Sequence, residues 1–184
     1  YVYIKGKGEL IFEDDPDSVI NLSCLKQGIG LAGEDVGKVR IRKNSGIKKI
    51  LTIENLTTFF RWQEKDSLMI YLGGYHNSVR RKLLELLYQD FPKAEYLHFG
   101  DIDVGGFEIY RDLCRKTGIP FKTYHMGIEE LEKYEAYTQE LTGNDRKRLA
   151  ALIQKAESEG KDIRVLLYMK EKGRKLEQEG IRQV

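Results

Sequence analysis

Three acidic residues carry the strongest chemical signal in this sequence. Glu54 directly follows the apolar run Ile50-Leu51-Thr52-Ile53, and Asp101 and Asp103 follow the run Tyr96-Leu97-His98-Phe99. In a parallel sheet, residues just past the carboxyl ends of strands gather at one edge, and ligands bind there where the winding order reverses. If these two runs are neighbouring strands, three carboxylates converge. Such a cluster repels itself and raises its own pKa values unless a cation neutralises it. Mg²⁺ or Mn²⁺ meets that need, since both are hard ions that take oxygen ligands and keep part of their water. In an extended Asp101-Ile102-Asp103 both acids project to one side, so both can face one ion. Gly105-Gly106 then lets backbone approach closely at the start of the next helix. Asp103 equally suits a simple role as cap of a helix running from Phe107. A calcium loop is excluded, because Gly105 stands at its third ligand position and a strand, not a helix, precedes it. His76, His98 and His125 lack ligand spacing, and His98, inside a strand, reads as a core residue.

The elements needed to place those acids are periodic in the sequence. Leu68 to Leu72 and Phe121 to Tyr124 read as two further strands. Between them, Ser78 to Phe91 carries Val79, Leu83, Leu86, Leu87 and Phe91 at helical spacing, and Phe107 to Lys116 carries Ile109, Tyr110 and Leu113 on one face. Short apolar strands alternating with amphipathic helices predict an α/β unit over 49–126, a parallel sheet covered on both faces. Residues 1–48 form a separate N-terminal region. Within it, residues 1–12 read as a hairpin around Gly6-Lys7-Gly8, and Asp17 could cap a short helix carrying Val19, Ile20, Leu22 and Leu25. Gly28 to Gly37 reads as a loop, with no Gly-Lys-Ser/Thr ending to make it a phosphate loop. Residues 127–184 form a charged, helical extension with Leu149, Leu152 and Ile153 on one side of a helix.

Composition narrows the function classes. Of 184 residues, 41% are hydrophobic and 33% charged, which suits a folded domain and not a disordered chain. No apolar run approaches the roughly 20 residues of a membrane span, so no membrane role is expected. The net charge of +2 says nothing by itself about nucleic-acid binding, but its distribution is uneven. From Val36 to Ile50 there are six Lys/Arg and no acids, and from Asp145 to Lys175 ten Lys/Arg face five Asp/Glu. Lys38, Arg40 and Arg42 alternate with Val39 and Ile41, which gives a strand one basic and one buried face. That face, with Lys48 and Lys49, is either a charged edge strand guarded against aggregation or a ridge that contacts phosphates. Cys24 and Cys114 lie far apart without metal-ligand spacing, as expected of reduced thiols in a cytoplasmic protein. The chain opens Tyr1-Val2-Tyr3-Ile4 without an initiator Met, which reads as a piece of a longer protein.

Taken together, Ile53-Glu54-Asn55 and Gly100-Asp101-Ile102-Asp103-Val104-Gly105-Gly106 resemble a Toprim domain. That is the metal-binding catalytic fold of topoisomerases, DnaG-type primases and several nucleases. The Gly-Asp-x-Asp-x-x-Gly form is similar to the branch containing the A subunit of archaeal type VI topoisomerase. Leu51 to Phe60, Gly73-Gly74-Tyr75-His76, Phe99 to Phe107 and Leu176-Glu177-Gln178-Glu179 are similar to the C-terminal domain of JetD, the nuclease subunit of Wadjet anti-plasmid defence systems. The resemblance covers 49–184, and residues 1–48 carry no diagnostic motif.

What the resemblance implies is specific. The fold would be a Toprim (Rossmann-like) parallel sheet flanked by helices, with a small N-terminal β element and a helical C-terminal extension. Glu54 would be a metal ligand or general acid/base, and Asp101 and Asp103 would hold Mg²⁺ (or Mn²⁺). Glu177 and Glu179 would complete a second metal position, unless they sit on a solvated C-terminal helix. The activity would be metal-dependent cleavage of plasmid or foreign double-stranded DNA, with an SMC-like JetABC complex as partner and a homodimer compatible with the family. Two rival readings are a non-catalytic DNA-binding or subunit-interaction module and a haloacid-dehalogenase-like phosphatase, whose Asp-x-Asp also follows an apolar strand.

Overall fold

The computed structural model describes residues 1–74 and 78–182. Its strands are β1 (Val2–Gly6), β2 (Glu9–Phe12), β3 (Val19–Asn21), β4 (Ile29–Leu31), β5 (Val39–Ile41), β6 (Lys49–Ile53), β7 (Ser67–Tyr71), β8 (Glu95–Phe99), β9 (Lys122–Thr123), β10 (Gln139–Glu140) and β11 (Arg174–Lys175). Its helices are α1 (Leu56–Arg61), α2 (Ser78–Asp90), α3 (Val104–Thr117), α4 (Ile128–Lys133), α5 (Gly143–Ser158) and α6 (Arg164–Lys172). The central sheet has six strands in the order β4-β1-β7-β6-β8-β9. The β7-β6-β8-β9 part is parallel, while β1 lies antiparallel to both β7 and β4. The strand–helix alternation predicts a parallel sheet, and β7-β6-β8-β9 form one; β1 and β4 extend it with antiparallel pairs, so the whole sheet is mixed and mainly parallel.

Strand alternation divides the sheet into two buried faces. Ile50, Leu68, Ile70 and Tyr96 point to the face covered by α2 and part of α3. Leu51, Ile53, Met69, Leu97 and Phe99 point to the other, covered by α1, α5 and α6. Both faces being covered explains why β6, β7 and β8 read as continuous apolar runs. The order β7-β6-β8 means that the chain leaves β6 to one side, then crosses back past it to reach β8. The winding reverses between β6 and β8, and this is where ligands bind in such sheets.

Several local expectations are corrected. β1 and β2 do not pair with each other: β1 joins the central sheet, and β2 pairs with β3 and β5 in a separate three-stranded sheet. Alternation specifies a strand but not its partner, and both edges of β1 are occupied by β4 and β7. The helix expected after Asp17 is instead β3 followed by a 3₁₀ turn at Leu22–Cys24, capped by Asn21, whose Oδ1 accepts from the Ser23 amide at 3.0 Å. The β-branched Val19 and Ile20 favour the strand. The glycine-rich stretch contains β4. The expected strand with one buried and one charged face is present: Val39 and Ile41 are buried, and β5 forms an edge of the small sheet. Both Cys24 and Cys114 are free. No helix among the described residues is long and apolar enough to cross a membrane.

One side chain without any signal in the sequence fixes α1. Lys5 on β1 is almost fully buried, its Nζ donates to the Phe60 carbonyl at 2.9 Å and it lies 5.1 Å from the centre of the Phe59 ring. A cation at a helix carboxyl end is favourably placed, while burial lowers its pKa to about 8. Through α1, whose N-cap is Asn55, this contact reaches the residue next to Glu54.

Candidate carboxylate site

β6 and β8 are direct neighbours, with Ile53 opposite Phe99, and the Glu54 amide donates to the Phe99 carbonyl at 3.0 Å. Glu54 and Asp101 thus leave adjacent strands at the same level, at the point where the winding reverses. Ile102 is fully buried, and it pairs with Leu176 through amide–carbonyl bonds of 2.8 and 3.0 Å. That short extended pairing turns Ile102 inward, so Asp101 and Asp103 lie on the opposite, partly exposed side. The backbone can turn this tightly because residue 106 is glycine: a Cβ there would stand 2.2 Å from the Asp101 carbonyl.

The electrostatics are those of an uncompensated cluster. Burial, then the Asp101 and Asp103 carboxylates, and more weakly Glu177, push the Glu54 carboxyl up to about 8, against the lowering effect of a bond from the Asp101 backbone. Burial, with Glu177 and Asp103, likewise pushes Asp101 up to about 6, although the Gln178 amide bond works the other way. Among the described residues, none of Glu54, Asp101, Asp103 or Glu177 forms an ion pair. Glu54 Oε2 is buried and accepts no hydrogen bond from the described residues. It lies so close to residue 100 that a Cβ there would stand 2.7 Å from it and 2.9 Å from His98 Nε2. Gly100 therefore leaves room for the Glu54 carboxylate against the sheet.

Each Asp is also held by backbone. Asp103 caps α3, its Oδ1 accepting from the Gly106 amide at 2.7 Å. This is the capping alternative, with the helix starting at Val104 instead of Phe107; the cap occupies one oxygen only. Asp101 Oδ1 accepts from the Gln178 amide at 2.7 Å. Held outward in this way, the acids do not form a ready cage: among the described residues, no three His, Cys, Asp or Glu side chains stand in metal-holding geometry. The donor set nevertheless fits a hard cation. It is all oxygen, it is anionic, and it includes a buried oxygen with no partner among the described residues.

The remaining predicted residues separate. Glu177 is half-buried and its carboxyl helps to raise the Asp101 pKa, so it belongs to the cluster. Glu179 is exposed, and its Oε1 accepts from Asn55 Nδ2 at 2.8 Å. Their segment is not a solvated helix but a 3₁₀ turn at Gln178–Gly180, laid over the strand ends. On the basic face, Arg40 pairs with Glu13 at 2.7 Å, Arg42 with Glu9 at 2.8 Å, Lys48 with Asp66 at 3.4 Å and Lys49 with Glu64 at 2.6 Å, while Lys38 is exposed. His98 is fully buried, its Nδ1 2.9 Å from Thr52 Oγ1. Tyr75 and His76 of the Gly-Gly-Tyr-His motif lie outside the described residues.

The residue that joins these parts is one the sequence pattern does not single out. Gln178 is fully buried; its Nε2 donates to the Phe99 carbonyl at 2.8 Å and its Oε1 accepts from the Asn55 amide at 2.7 Å. The Leu-Glu-Gln-Glu motif points to this turn, but its charged members are the ones that look like chemistry.

Comparison with known proteins agrees on one family. The sequence profile of the family described as "Wadjet protein JetD, C-terminal" matches residues 14–184. Over 157 residues the chain is 26% identical to the Wadjet protein JetD of Bacillus cereus (strain Q1), a match covering 83% of this chain and 37% of that protein. The chain thus corresponds to little more than a third of the length of this relative.

Proposed function

The chain belongs to the family of JetD C-terminal domains, and on that premise we propose that its β6/β8 edge is the catalytic centre of a metal-dependent DNA endonuclease of Toprim type. The observation that carries this reading is Glu54: a buried carboxylate that faces three further carboxylates and, among the described residues, has one oxygen without a hydrogen bond and no ion-pair partner. A site so arranged holds protons or a cation at neutral pH.

Glu54, Asp101 and Asp103 would hold Mg²⁺ or Mn²⁺, with Glu177 beside them. The ion would supply Lewis acidity, offsetting charge on the scissile phosphate and activating water for attack. Asp101 and Asp103 are each restrained at one oxygen by the Gln178 and Gly106 amides, and their carboxylates would close around the ion only as it binds. Without a cation the Glu54 carboxyl is pushed up to about 8, so its alternative role is to take or return a proton. The α3 amino terminus beside Asp103 adds a positive dipole end toward an incoming phosphate. Cleavage of plasmid or foreign DNA, association with a JetABC-type SMC complex and a cytoplasmic place of action are proposed, on the strength of the family, for the whole protein.

Plasmid cleavage by the full protein with its complex partners, in Mg²⁺ or Mn²⁺, tests the reading. Cleavage that persists undiminished in the Asp101→Ala/Asp103→Ala double variant would overturn it. A non-catalytic module is the outcome if calorimetry detects no Mn²⁺ binding and the wild-type complex leaves DNA intact.

A further inference from the structure

We infer that Gln178 is a positioning residue of the carboxylate site, fixing Asp101 and the ends of β6 and β8 in the arrangement that receives a divalent cation. The inference rests on the metal-site reading above and extends it to a residue with no charge and no contact with the cation itself.

A glutamine side chain removed from water costs free energy unless its amide is bonded, and the cost is avoided by any apolar side chain of similar volume. Gln178 is nonetheless fully buried, between a half-buried Glu177 and an exposed Glu179. Both side-chain bonds and the bond of its backbone N–H go to the site. Its amide oxygen accepts from Asn55, the residue after Glu54; its amide nitrogen donates to Phe99, two residues before Asp101; its own backbone N–H holds Asp101 Oδ1. One residue therefore ties together both strand ends and one carboxylate oxygen, across sequence separations of 123 and 79 residues.

The turn that carries Gln178 is itself held from two sides. Leu176 pairs with Ile102, and Arg61 on α1 donates through Nη2 to the Glu179 and Ile181 carbonyls at 2.8 and 2.7 Å. The guanidinium of Arg61 thus grips the backbone of the turn and leaves the acids uncompensated. Such an arrangement places a neutral donor against Asp101 without neutralising it, as is required of a carboxylate that must still attract a cation. Removing residues that orient metal ligands typically weakens metal affinity about 10- to 100-fold.

The test uses Gln178→Met, which matches the side chain in length and removes both polar ends, and Gln178→Glu, which keeps an oxygen toward Asn55. Mn²⁺ alone is titrated into the full protein by calorimetry, and amide hydrogen exchange is followed without metal. Gln178→Met is expected to bind Mn²⁺ about 10- to 100-fold more weakly and to lose protection at the amides of residues 55 and 178 by about tenfold or more, with the central strands unchanged. In Gln178→Glu the Asn55 amide stays protected while that of residue 178 loses protection. Mn²⁺ affinity within about twofold of wild type, together with unchanged exchange at residue 178, overturns the inference. If wild type binds no Mn²⁺, the metal reading fails, and exchange at residues 55 and 178 still decides whether Gln178 places Asp101. If Gln178→Met does not fold, Gln178→Glu decides on the same two amides.

Discussion

Two clusters of like charge stand in this chain, and the structure treats them in opposite ways. Between Val36 and Ile50 six cations occur without an acid in sequence, yet Arg40, Arg42, Lys43, Lys48 and Lys49 each meet an acid from elsewhere in the fold. At the β6/β8 edge, Glu54, Asp101, Asp103 and Glu177 meet one another, and among the described residues no cation pairs with them. The basic cluster is solvated and compensated, so its net electrostatic cost is small. The acidic cluster is partly buried and uncompensated, and its charge is balanced by raised pKa values. Same-sign charge in a sequence is therefore not itself a mark of function; the mark is a cluster that the fold declines to neutralise.

The contrast faces its most severe test at the acids. Asp101→Ala/Asp103→Ala should lower Mn²⁺-dependent plasmid cleavage by more than about 100-fold, beyond the usual cost of losing a residue that only orients a ligand. Quantitative gel assays with the intact complex read this directly. Next in size is truncation after Lys175. It removes the buried Leu176 and Ile181, each worth roughly 2–5 kcal/mol on truncation of a core aliphatic, along with Gln178. Urea denaturation should show a large loss of stability in the shortened protein.

A smaller effect concerns protons on the acidic side. In metal-free protein Glu54 titrates near 8 against an ordinary value of 4.5. The folded state thus binds this proton more tightly than the unfolded state. Its stabilising contribution is complete below 4.5 and is lost as pH rises through about 8. Asp101 acts in the same direction, from 3.8 to about 6. Stability measured in chelator should fall between pH 4.5 and 8, and Glu54→Gln should flatten the upper part of that fall. An equally steep decline in the variant would place the titrating group elsewhere.

The smallest effect belongs to the basic side. Arg40→Ala and Arg42→Ala should each change stability by about 1 kcal/mol or less, as exposed ion pairs do. If β5 only guards a sheet edge, the salt dependence of DNA binding is unchanged in the double variant. A slope reduced by about 2 in log K against log salt would instead make it a phosphate contact.

Much of the fold was legible because its period was local. β6, β7, β8, α2 and α3 follow from apolar runs and helical spacing, and the structure places them within a few residues of expectation. Partnering was not legible. The alternation in residues 1–12 could not show that β1 enters the central sheet while β2 leaves it, because pairing depends on which edges remain open after collapse. The same limit hid Gln178. A lone glutamine in a charged tail has no periodic signal, and its importance appears only when its two ends are found on Asn55 and Phe99.

Residue type and short spacing were enough to identify the acids, the strands that end on them and the glycines that let backbone pass close. Local chemistry decides such features, so a short window contains them. That β6 and β8 are neighbours, that the basic residues are matched with acids from elsewhere, and that the C-terminal turn closes over the strand ends emerged only with folding. Charge compensation and burial are sums over the whole fold, and no window of sequence contains them.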